Sequence, residues 1–100
     1  MVNKIKIGGM TYQVVEHPEL LEEMSAFGRC NYKKQKIEYD PDQGDDCLAT
    51  TLLHEAMHGL FYFLNFDQVE DNVECLANGL LMFIRDNPEL IKSFLKGDEE

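Results

Sequence analysis

The chain has 100 residues, of which 44% are apolar, and 19 acidic side chains against nine basic ones give it a net charge of −10. This is enough apolar material for one core, and a negative field of that size repels phosphate backbones, so direct nucleic-acid binding is not expected. No apolar run approaches the roughly 20 residues that a bilayer span needs, and residues 1–9 lack a signal-type apolar stretch, so no membrane contact and a cytoplasmic location are expected. The three cysteines, Cys30, Cys47 and Cys75, are odd in number and widely spaced. They are expected to be reduced, buried thiols rather than a disulfide framework or a four-thiolate zinc site.

Ile5 and Ile7, then Gly8-Gly9, then Tyr12 and Val14 alternate around a glycine pair, which predicts a hairpin over residues 4–15. After Pro18 a short amphipathic helix is expected at 19–26, with Leu20, Leu21 and Met24 at helical spacing. A second strand pair follows, 27–32 and 36–40, across a polar turn whose Lys33, Lys34 and Lys36 read as solvated side chains. Asp40-Pro41-Asp42-Gln43-Gly44 breaks the last strand, and Asp45 or Asp46 is placed to cap the next helix. The glycine spacing does not fit a calcium loop, and Thr51 stands where the closing glutamate would be.

From about residue 47 to 64, Leu48, Leu52, Leu53, Ala56, Leu60, Phe63 and Leu64 fall on one broad face at a 3.6-residue period, which predicts the central core helix. A further helix is expected from about 69 to 85, burying Val73, Leu76, Ala77, Leu80 and Ile84. Asn87-Pro88 ends it; a short last helix over 89–95 and an acidic tail at 97–100 complete one domain spanning 1–100. Strands first and helices after define an α+β class, with a small antiparallel sheet packed on a helical core.

His54-Glu55-Ala56-Met57-His58 lies on the strongest of these helices. Residues four apart on an α-helix differ by about 40° in rotation and about 6 Å in rise, so two imidazoles can share one ion. A catalytic zinc takes such neutral nitrogens and leaves one position open for water. Glu55, about 100° around from His54, can take the proton of the water that zinc activates and deliver it to a leaving amine. Thr51, His54, Glu55, His58 and Tyr62 share a polar stripe, so the motif is expected to face a cleft or solvent.

The third ligand must come from elsewhere. Glu74, at the edge of the next helix's apolar stripe, is the choice, and Glu70, one turn earlier on nearly the same face, is the alternative. Cys75 points about 100° away and reads as a packed residue. His17, in the turn expected before Pro18, reads as a structural or exposed histidine, and Tyr62 reads as packing ahead of a donor to an oxyanion.

Five stretches together resemble the short, phage-associated zincin-like proteins related to the ImmA/IrrE and SprT-like metallopeptidases. They are Ile7-Gly8-Gly9-Met10-Thr11-Tyr12, the strand from Lys36 to Asp40, Thr51-Leu52-Leu53-His54-Glu55-Ala56-Met57-His58-Gly59, Glu74-Cys75-Leu76-Ala77-Asn78, and Asp86-Asn87-Pro88. The resemblance implies a zincin-like minimal domain with Glu74 as third zinc ligand, acting in the cytosol of a bacterium or a phage-infected host. It also implies that the strand from Ile37 to Asp40 lies along the cleft, where an extended substrate adds as a further strand. The expected function is zinc-dependent hydrolysis of peptide bonds in an intracellular protein such as a repressor-like regulator. The alternatives are a catalytically silent, zinc-stabilised interaction or regulatory module, and a helical adaptor in which the motif has no role.

Overall fold

Side-chain alternation in the first forty residues and a helical period in the rest set the element order. The computed structural model describes residues 2–95. It runs β1 (Lys4–Ile7), β2 (Met10–Glu16), α1 (Leu20–Met24), β3 (Gly28–Asn31), β4 (Lys36–Tyr39), α2 (Asp45–Leu64), α3 (Glu70–Asp86) and α4 (Pro88–Leu95). The expected acidic tail lies outside the described residues.

β1 and β2 form the expected hairpin, from Lys4 opposite Gln13 to Ile7 opposite Met10, and β3 pairs antiparallel with β4. The expectation of an antiparallel sheet is corrected at its centre, where β2 and β4 run parallel with Val14 beside Ile37. The strand order is β1-β2-β4-β3, a mixed sheet. After β2 the chain crosses through α1 to the far edge and lays down β3 there. The turn at 32–35 then returns β4 to the gap beside β2. Alternation encodes which face a side chain takes and is silent on which strand lies next to which. β4 is therefore interior, and the expectation that it offers an open edge to substrate is corrected: the sheet's outer strands are β1 and β3.

Two clusters of buried side chains flank α2. Ile7, Tyr12 and Ile37 gather Leu52 and Leu60 on the sheet side, while Met57, Val73 and Ala77 gather Leu53, Leu60, Phe61 and Leu80 on the α3 side. Apolar residues are consequently spread around α2 instead of lying on one broad face. Phe63 and Leu64, expected in the core, are about half exposed, and so is Leu76 on α3. Gly59 lets α2 approach the sheet: a Cβ there would stand 2.7 Å from Cδ1 of Ile7.

Two local expectations change as well. Gly44, not Asp45 or Asp46, is the N-cap of α2 and makes no side-chain capping bond. Both aspartates lie in the first turn, where their charge still favours the helix dipole. The cysteines are free thiols, but Cys47 and Cys75 are exposed and only Cys30 is partly covered.

The loop entering α1 is fixed by charge. Asp40, buried, accepts the backbone N–H of Leu21 at 3.0 Å and that of Asp42 at 2.9 Å, and these bonds hold its carboxyl below the usual range. His17 lies between Glu23 on α1, at 3.0 Å, and Glu38 on β4, at 3.1 Å. Its bonds to Glu23 and then Glu38 raise its pKa above the ordinary 6.5. A histidine with a raised folded value stabilises the fold fully below 6.5 and loses that contribution as pH climbs through the raised value. Thermal melts of His17→Gln should therefore show a smaller loss of Tm than the wild type over that rise, measured against a slightly acidic baseline.

Candidate metal centre

An unbroken α2 carries His54 and His58 on one side, with ring centroids 5.0 Å apart. Both are mostly covered, their side chains 18% and 15% exposed. Between them stands the carboxylate of Glu70, with Oε1 2.6 Å from His54 Nε2 and Oε2 3.1 Å from His58 Nε2. One donor atom from each of the three residues lies within 4.8 Å of the others, the only such metal-capable group among the described residues.

Glu70, the alternative in the sequence reading, meets the histidines. Glu74, the first choice, lies one turn further on and outside this group, lining the adjoining cleft with His54 and Glu55. The cause is the connection between α2 and α3. Asn65 takes a left-handed conformation (φ 59°), Phe66 N–H bonds back to the carbonyl of Phe61, and the two phenyl rings meet edge to face at 5.8 Å. The loop thus doubles back along the last turns of α2, and α3 starts level with His58 instead of with Leu64. A hydrophobic stripe fixes which way a helix faces but not its axial offset from a neighbour. That is why Glu70 and Glu74 could not be separated from the sequence.

Glu55 points from the same helix towards the sheet and is 8% exposed. Burial raises its pKa, opposed by the neighbouring His54 and His58 and assisted by Glu70. Gly28 of β3 makes room for it: a Cβ at that position would lie 2.6 Å from Cγ2 of Thr51 and 3.1 Å from Cγ of Glu55. No local sequence signal marked Gly28, because the requirement arises only when β3 and α2 are packed together. Cys30 of β3 has its thiol pushed up to about 12 by burial and by the Glu55 charge, which keeps it protonated.

β3 and α2 wall a cleft of about 530 Å³ that reaches His54, Glu55 and Glu70, and a second hollow extends it past Cys30 and Tyr32 to His58. Tyr62 stacks on Tyr32 with ring centroids 4.3 Å apart and planes 4° from parallel, in line with the packing role expected of it. Tyr32 and Gln68, which no sequence motif singles out, meet beside His58. Tyr32 Oη donates to Gln68 Oε1 at 2.6 Å, and the same oxygen lies 2.7 Å from His58 Nδ1. His17 is held by its two glutamates, away from this group.

Two imidazole nitrogens and one carboxylate form a donor set that catalytic zinc uses. Ligands at about 2.0–2.1 Å around a tetrahedral ion stand about 3.3 Å apart; the His58–Glu70 separation of 3.1 Å is near that, and the His54–Glu70 separation of 2.6 Å has to open as the exposed Glu70 side chain turns. The three residues therefore fit the ion with small side-chain adjustments. Sites of this composition also admit other divalent ions.

No family model matches the chain, and no curated protein or solved structure matches it.

Elemental analysis of protein purified without chelator or affinity metal tests the ligand set. Near-stoichiometric metal is expected in the wild type, lost in His54→Ala, His58→Ala and Glu70→Ala, and kept in Glu74→Ala. Loss in Glu74→Ala with retention in Glu70→Ala would reverse the assignment of the third ligand.

Proposed function

We propose that this chain is a zinc-dependent peptidase of zincin-like fold, with His54, His58 and Glu70 holding the ion and Glu55 as the catalytic base. The observation that carries the reading is a buried carboxylate on the same helix as two histidines that converge with a third ligand at the rim of an open cleft. A helix whose polar stripe had no chemical role would not need Glu55 covered, because desolvating a carboxylate is costly.

Zinc, when bound, supplies Lewis-acid polarisation of the scissile carbonyl and eases ionisation of water. The chain supplies the proton traffic. Glu55 accepts a proton from the attacking water as the water oxygen bonds to the carbonyl carbon. It passes that proton to the amine nitrogen as the C–N bond breaks, returning to carboxylate.

The substrate class follows from the edge of the sheet. β3 has β4 on one side only, and Phe27, Gly28, Arg29 and Cys30 line the cleft beside the histidines. An extended peptide adds along β3, where backbone groups can pair with it. A protein segment in extended conformation, such as an exposed loop of an intracellular regulator, is the substrate that fits.

Glu55→Gln keeps the size and shape of the side chain and removes the base. Peptide cleavage by the zinc-loaded variant should fall by about 10²–10⁴-fold while bound zinc stays at the wild-type level; full cleavage would end the peptidase reading. With that inactive variant, titrating an extended peptide should shift the backbone amide resonances of residues 28–31. Shifts confined to residues 4–7 would place the peptide on the other edge.

A further inference from the structure

We infer that Gln68 is a positioning residue that sets the proton on His58, leaving its Nε2 lone pair free for a metal. The inference rests on the metal-centre reading above and concerns a residue outside the ligand set. The geometry is a three-way junction at one oxygen. Gln68, in the loop between α2 and α3, places Oε1 2.7 Å from His58 Nδ1 and 2.6 Å from the hydroxyl of Tyr32. Tyr32 is anchored in turn by its stack on Tyr62, one turn beyond His58 on α2.

The hydrogen bookkeeping has one solution when Nε2 binds an ion. A ligating nitrogen carries no proton, so the neutral ring is protonated on Nδ1 and needs an acceptor there. The amide oxygen of Gln68 is that acceptor, and its second lone pair takes the Tyr32 hydroxyl proton. Were the amide turned the other way, its NH2 would meet the His58 N–H donor to donor. The His58 N–H selects the amide orientation, the Tyr32 hydroxyl donates to the same oxygen, and the stacked rings hold the tyrosine. His58 is thereby fixed both in tautomer and in ring angle, and the loop that delivers Glu70 to the site delivers its support in the same five-residue turn.

The test measures zinc affinity by competition with a chromogenic chelator, together with the 15N and proton spectrum of the histidine rings in zinc-loaded protein. Wild type should show a slowly exchanging His58 Nδ1 proton. Gln68→Leu should lose that signal and bind zinc about ten- to a hundredfold more weakly. Gln68→Glu, which keeps an oxygen at the same reach, should restore both, and Tyr32→Phe should give a smaller loss of affinity. Circular dichroism of each variant guards against unfolding, and rescue by Gln68→Glu separates acceptor chemistry from loop packing. Wild-type affinity and an unchanged Nδ1 signal in Gln68→Leu would overturn the inference while leaving the metal centre standing. A wild type that holds no zinc would overturn both.

Discussion

Helix α2 is covered on two sides, by the sheet and by α3, and its polar motif lies at the boundary between that packing and the cleft. Thr51 and Glu55 consequently turn inward against β3, where Gly28 leaves space for them, while His54 and His58 occupy the rim. The rest of the site follows from that placement. A carboxylate in a dry position is a stronger candidate for proton transfer than one in solvent. The histidines, no longer free to rotate into water, face the one direction from which α3 can supply a third group. Gly59 serves the same packing from the next turn, by letting the helix settle onto Ile7.

Much of this was legible in the chain itself. The two strand pairs, the breaker at residues 40–44 and all four helices lie within a few residues of where the alternation, helical period and turn residues put them. What could not be read was arrangement in three dimensions. The parallel pairing of β2 with β4 depends on the route taken through α1 and β3, to which a period of two is blind. The exposure of Phe63, Leu64 and Leu76 follows from α2 having partners on opposite sides, which divides its apolar residues between two cores.

The site shows the same division. His54, Glu55 and His58 were readable because their relation is fixed by helical geometry alone. Glu70, Gln68 and Tyr32 were harder, since each reaches the centre through a turn whose course depends on tertiary contacts: the Phe61–Phe66 contact for the first two, and the reversal after β3 for the third. The resemblance points to Glu74, on the same helix as Glu70. The folded-back loop brings Glu70, one turn earlier, to the histidines.

The stacked pair formed by Tyr32 and Tyr62 has a practical side. The protein has four tyrosines and no tryptophan, so its intrinsic ultraviolet emission comes from phenols alone, without the energy sink that indole normally provides. Two of the four lie ring on ring, and one of these hydroxyls is bonded to the amide beneath His58. Close stacking and hydroxyl bonding both alter phenol emission, so half of the protein's emitters lie where they respond to the surroundings of His58, with no dye attached and no residue replaced.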